Sequence, residues 1–155
     1  MHGDEANQAV KTGILLEDGE YIYDPRDHHG PTLYYLALIP AKLSGADSLA
    51  DLTEPMLRVV PALFGVALIL LLWFVRDGLG NAAANWAAVF TAVSPAFVFY
   101  SRYYIQEMLL VFFTLAALAA GWRYVVQPLW PKALLFGACL GLMHATKETA
   151  VLAWA

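Results

Sequence analysis

Residues 57–75 read LRVVPALFGVALILLLWFV, a run in which Arg58 is the only charge and Pro61 falls in the first turns. A helix needs roughly 17–25 predominantly apolar residues to cross a bilayer, and this run meets that length. Three more apolar segments follow, over about 82–100, 107–126 and 132–155. The connections 76–81 and 127–132 are short, so neighbouring helices should run antiparallel. Ser94-Pro95 should kink the second segment near its end, because proline removes a backbone donor and crowds the preceding turn. The expected fold class is an all-α membrane protein, a bundle of transmembrane helices over 57–155 preceded by an acidic loop over 1–56 with short helices.

The charge distribution agrees with this division. The chain has 155 residues, 60% hydrophobic and 14% charged, whereas soluble domains carry about 25% charged residues. Residues 1–56 hold ten of the thirteen acids and only Lys11, Arg26 and Lys42 as strong bases. Residues 57–155 hold Asp77, Glu107 and Glu148 against six bases. The net charge of −4 averages two unlike halves. No basic patch suggests nucleic acid. Cys139, the single cysteine, lies in an apolar run, which excludes a disulfide framework and reads as a packed thiol. His2-Gly3-Asp4-Glu5 follows Met1 directly, without the basic and apolar regions of a signal peptide. Both ends read as cut, so the expectation is a fragment of a larger membrane protein.

In the polar front, residues 4–16 suit a helix whose first turn carries Asp4 and Glu5 at the positive dipole end. Gly13 and the Glu17-Asp18-Gly19-Glu20 turn should end it. Asp24-Pro25 and His28-His29-Gly30-Pro31 read as turns, and Thr32 to Leu43 as a helix too short to span. Thr53-Glu54-Pro55 provides a start for the first spanning helix.

Orientation follows from bases in the short connections. Arg76 occupies one, and Arg123 and Lys132 flank the other. The positive-inside rule makes their face cytoplasmic. The acidic front, residues 101–107 and Lys147-Glu148 then share the outer face. Charges near a bilayer are costly and mark functional candidates. Asp4-Glu5 can supply a general base, a metal ligand or a helix-end charge. Arg102 can hold phosphate oxygens, and Glu107 can contact a sugar hydroxyl, position another residue, or pair with Arg102 to anchor a helix end. Lys147 can neutralise a lipid-linked phosphate, snorkel, or pair with Glu148. His28 and His29 favour a turn-forming or substrate-facing role over zinc, although His28 with Asp4 is a conceivable metal pair. Tyr103 reads as an aromatic at the interface.

Taken in order, these motifs carry a resemblance. Asp4-Glu5 is followed by Arg58-x-x-Pro61-Ala-Leu-Phe-Gly65, Ser94-Pro95, Phe99-Tyr100-Ser101-Arg102-Tyr103, Glu107 and Thr146-Lys147-Glu148. The series resembles the N-terminal part of a GT-C membrane glycosyltransferase, in the family of dolichyl-phosphate-mannose protein mannosyltransferases and bacterial aminoarabinose transferases. His29-Gly30-Pro31-Thr32 and Lys147-Glu148-Thr149 are similar to a prokaryotic, flippase-associated branch. The resemblance implies inverting transfer of a hexosyl or pentosyl group from a polyprenyl-phosphate donor to a hydroxyl of a protein, lipid or glycan, at a site facing outside the cytoplasmic membrane. A divalent cation is an open expectation. Asp4 and Glu5 match the family's catalytic carboxylates. Arg102, Glu107, Lys147, His29 and Tyr103 match its substrate-facing positions. The competing expectation is a non-enzymatic carrier-lipid flippase, which would need polar residues through the bilayer midplane. Because the resemblance covers only the front part of a family member, the 155-residue chain is expected to be inactive alone.

Overall fold

The computed structural model describes residues 2–24 and 29–153. Among them are eight α-helices and no strand. They are α1 Gly3–Asp18, α2 Thr32–Leu43, α3 Glu54–Phe74, α4 Arg76–Leu79, α5 Asn81–Val93, α6 Pro95–Tyr100, α7 Glu107–Val126 and α8 Trp130–Thr146. Short 3₁₀ helices lie at Leu49–Asp51 and Glu148–Ala153.

The ends of these helices follow from local chemistry. α1 stops where Gly19 takes φ 73°, a left-handed conformation that glycine adopts without a side-chain clash, and its N–H donates to Leu15 O at 3.1 Å. α3 starts after Thr53 with Pro55 in its first turn, where the missing proline N–H costs no hydrogen bond. The sequence reading expects one helix over 82–100, but the structure has two. Proline forces the residue before it out of the helical region, and Ser94 sits at φ −65°, ψ 123°. α5 is thus 13 residues long, too short to span, and Pro95 restarts the short α6. The expected continuous helix over 132–155 also differs. α8 ends at Thr146, and Lys147 is extended at φ −156°, ψ 131°. There it forms an isolated antiparallel bridge with His29.

α3 and α7 are long and apolar enough to cross a membrane. Only 22% and 28% of their apolar stretches are buried. The core helix of a soluble protein would be mostly buried, whereas here Leu63, Val66 and Leu70 of α3 are more than half exposed. Their length, apolarity and exposed faces fit a pair of helices that spans a bilayer. The core lies between α2, α3, α7 and α8, around Leu33, Ala37, Leu57, Leu109, Phe113, Ala117 and Met143. Small residues on α7 let α8 approach closely; a side chain at Gly121 would already touch Phe136 at 3.3 Å.

Candidate functional site

α1 lays its N-terminus on the link between α6 and α7. The anchor is Glu5, whose side chain is fully buried. Its Oε1 accepts from Arg58 Nε at 2.9 Å and from the Tyr104 backbone N–H at 2.9 Å. Its Oε2 accepts from Arg58 Nη2 at 2.8 Å and from the His2 backbone N–H at 3.3 Å. Arg58 also meets Glu54 at 2.8 Å. Burial alone would raise the Glu5 pKa, but the hydrogen bonds from Arg58, Tyr104 and His2, with the charge of Arg58, bring it down to about 2.

One turn further along α1, the same face continues with buried polar groups. Tyr34 Oη donates to Gln8 Oε1, and Gln106 Nε2 donates to Gln8 Oε1 at 3.1 Å and to Tyr34 Oη at 3.2 Å. Gln8 Nε2 reaches His29 Nδ1 at 3.4 Å. Thr12 Oγ1 donates to Gln8 O at 2.9 Å and lies 2.8 Å from Tyr104 Oη. A hydroxyl has one proton, so Tyr104 is the donor in that pair. Sequence reading missed Gln8, Thr12, Tyr34 and Gln106. The available signal was the spacing Glu5, Gln8, Thr12, which puts three polar side chains on one helix face among the buried Ala9 and Leu15.

Around this anchor is an open hollow of about 800 Å³ lined by His2, Glu5, Arg58, Phe99, Arg102 and Tyr103, among others. Tyr103 stacks on Phe99 at 5.2 Å between ring centres and presents an edge to His2 at 5.8 Å. Its phenol is held above the usual range, first by desolvation and then by the negative charges of Asp4 and Glu5. Asp4 is exposed at the rim of α1, and no described residue hydrogen-bonds its carboxylate. Arg102 is exposed on the wall and likewise makes no bond to a described residue.

Glu107 and Lys147 form a second cluster. Lys147 Nζ donates to Glu107 Oε1 at 2.7 Å, so the carboxylate beside this lysine is Glu107 rather than only its neighbour Glu148. Glu107 Oε2 is buried and has no partner among the described residues. The loop at His29 is laid on the end of α8, with Gly30 N–H donating to Thr146 O at 3.0 Å. The His29 carbonyl accepts from Tyr21 Oη at 2.7 Å, so this residue is tied into the fold at both ring and backbone. His28 lies outside the described residues. Among the described residues no three His, Cys, Asp or Glu side chains form a group that could hold a metal ion.

The structure thus brings Asp4, Glu5, Arg102, Tyr103, Glu107, Lys147 and His29 to one end of the bundle, in two neighbouring clusters. The chemistry available there is a solvent-facing carboxylate, an unengaged guanidinium, stacked aromatic rings and a lysine–carboxylate pair. Residues 28–155 match the family described as dolichyl-phosphate-mannose-protein mannosyltransferase. That match begins after Asp4 and Glu5, so their placement rests on geometry. No curated protein and no solved structure matches the chain.

Proposed function

The chain belongs to the dolichyl-phosphate-mannose-protein mannosyltransferase family of membrane glycosyltransferases, and on that premise we propose that it moves a sugar from a polyprenyl-phosphate carrier to an acceptor hydroxyl with inversion. The reaction takes place on the extracytoplasmic face, the orientation supported by Arg76, Arg123 and Lys132 at the other end. Asp4 is the general base for the acceptor. A base must reach the hydroxyl proton with a free lone pair, and Asp4 has an exposed carboxylate that no described residue engages. Glu5 is ionised and saturated with hydrogen bonds, so its role is to hold Asp4 in place.

The leaving phosphate departs as an anion and needs cations rather than an acid. Arg102 supplies the fork for its oxygens, with Lys147 as a second positive charge steadied by Glu107. Tyr103 lines the hollow on the substrate side, and His29 acts by holding Lys147 through their backbone bridge. Fixed charges aimed at the reacting groups provide the barrier lowering. The observation that carries this reading is the Tyr104 N–H bond to Glu5, which holds the Asp4 helix end against the segment bearing Arg102.

The test is Asp4→Asn in the full-length protein, reconstituted with a polyprenyl-phosphate sugar and an acceptor. Transfer should fall by about 10²-fold or more, the usual contribution of a positioned base, with membrane insertion unchanged. Retained transfer by a properly inserted Asp4→Asn protein would remove Asp4 from the chemistry.

A further inference from the structure

We propose that the hollow beyond the far end of α3, walled by Trp73, Arg76, Asn81 and Asn85, binds the phosphate headgroup of an anionic phospholipid. This hollow has a volume of about 540 Å³. It lies at the opposite end of α3 from Glu5 and plays no part in the transfer reaction. With 21 residues at a rise of 1.5 Å each, α3 is roughly 31 Å long, about the thickness of the hydrocarbon core. Arg76, two residues past Phe74, therefore stands at headgroup level, and the Trp73 ring beside it belongs to the aromatic belt.

The donors at this end are unequally occupied. Arg123 Nη2 donates to Phe74 O at 2.6 Å and lies 3.6 Å from Asp77. Lys132 Nζ donates to Gln127 Oε1 at 2.8 Å. Arg76 has only its cation–π contact, with the guanidinium carbon 4.7 Å from the Trp73 ring centre, and no described residue accepts from it. That contact orients the guanidinium plane and leaves its N–H groups open. Asn81 and Asn85 stand one turn apart on α5 and line the same hollow, and no described residue hydrogen-bonds their side chains. A forked cation flanked by two carboxamides is the donor set for a phosphodiester. Basic pockets between helices at an interface take anionic headgroups. The acyl chains have a path along exposed Leu70 and Val66 on α3 and Val89 on α5.

The full-length protein is tested in detergent by native mass spectrometry, counting retained phosphatidylglycerol, phosphatidylcholine and polyprenyl phosphate. Phosphatidylglycerol should be retained over phosphatidylcholine. Arg76→Gln should weaken its retention roughly tenfold, the worth of a charge-assisted hydrogen bond, and Asn85→Leu should weaken it less. Lys132→Gln, a base at the same end, should leave retention within about twofold, because its donor is already engaged. Unfolding temperatures of the variants check that each is folded. Equal losses for Arg76→Gln and Lys132→Gln would reduce the effect to general surface charge and overturn the site. Unchanged retention in Arg76→Gln, or a preference for polyprenyl phosphate that follows Arg76, would overturn it as well. Sugar transfer is read separately, and Arg76→Gln should leave it unchanged.

Discussion

The backbone N–H of Tyr104 donates to Glu5 Oε1 at 2.9 Å, joining positions ninety-nine residues apart. This bond brings the acidic start of the chain to the loop that carries Arg102 and leads into Glu107. Arg58, entering from α3, completes the junction with two bonds of its own. Three elements from distant parts of the sequence thus converge on one buried carboxylate, and Asp4 projects from the converging end.

Glu5 should make stability depend on acid in a recognisable window. Its pKa falls from 4.5 to about 2 on folding. A depressed carboxylate contributes stability above its unfolded pKa, and that contribution is lost as the pH falls towards its folded pKa. The difference between wild type and Glu5→Gln should be constant above pH 4.5 and shrink between 4.5 and about 2. The difference should reach about 3 kcal/mol at neutral pH. Thermal unfolding in detergent across that range measures it. A constant difference down to pH 2 would mean that Glu5 is not ionised by its partners.

The hydroxyl pair between Thr12 and Tyr104 should behave as a coupled unit. Thr12 spends its proton on Gln8 O, so Tyr104 donates to it across 2.8 Å. Burial pushes the Tyr104 phenol well above its ordinary range, which keeps it protonated and able to donate. Tyr104→Phe and Thr12→Val should each cost about 1–2 kcal/mol, with a coupling of about 1 kcal/mol in the double mutant. Strict additivity would show that the two hydroxyls do not share a bond in solution.

The long elements of the fold are legible in the sequence because length and apolarity are local signals. The 21-residue α3 and 20-residue α7 stand on long, predominantly apolar runs. The break at Ser94 is visible as a kink, but a full interruption depends on how far Ser94 leaves the helical region before Pro95. The end of α8 is not legible, because Lys147 turns extended to pair with His29, far away in sequence. In the site, single charges such as Asp4 and Arg102 stand out against apolar surroundings. The Gln8–Tyr34–Gln106 cluster does not, since uncharged polar residues become informative only once their burial is known.

Gly30 should resist substitution. A Cβ there would lie 2.0 Å from Ala145 O and 2.5 Å from its carbonyl carbon, against rigid backbone. The same residue donates its N–H to Thr146 O. Gly30→Ala must push the loop off α8 and should destabilise the protein by about 2 kcal/mol or more. Gly137→Ala is the contrast. Its Cβ meets nothing within 4 Å, and replacing a mid-helix glycine should be neutral or stabilising by up to about 1 kcal/mol. Equal unfolding temperatures for the two variants would contradict the close approach at Gly30.

Glu107 and Lys147 offer the sharpest separation of structural from substrate-facing roles. Their side chains are 34% and 22% exposed, and the pair is 2.7 Å apart. Exposure of that order limits the net worth of an ion pair, and the buried, unpartnered Oε2 of Glu107 offsets part of it. Glu107→Gln and Lys147→Gln should therefore each change stability by no more than about 1 kcal/mol. Their effects on donor affinity should have opposite signs. Removing the Lys147 charge takes a cation away from the donor phosphate and should raise the donor KM by roughly fivefold. Removing the Glu107 charge releases that cation and should lower the donor KM, while kcat falls if the carboxylate also positions a sugar hydroxyl. Steady-state kinetics of the full-length protein with varied donor decides the matter. A purely structural pair would move both KM values in the same direction, through a shared loss of local order, and the phosphate role of Lys147 would then fall.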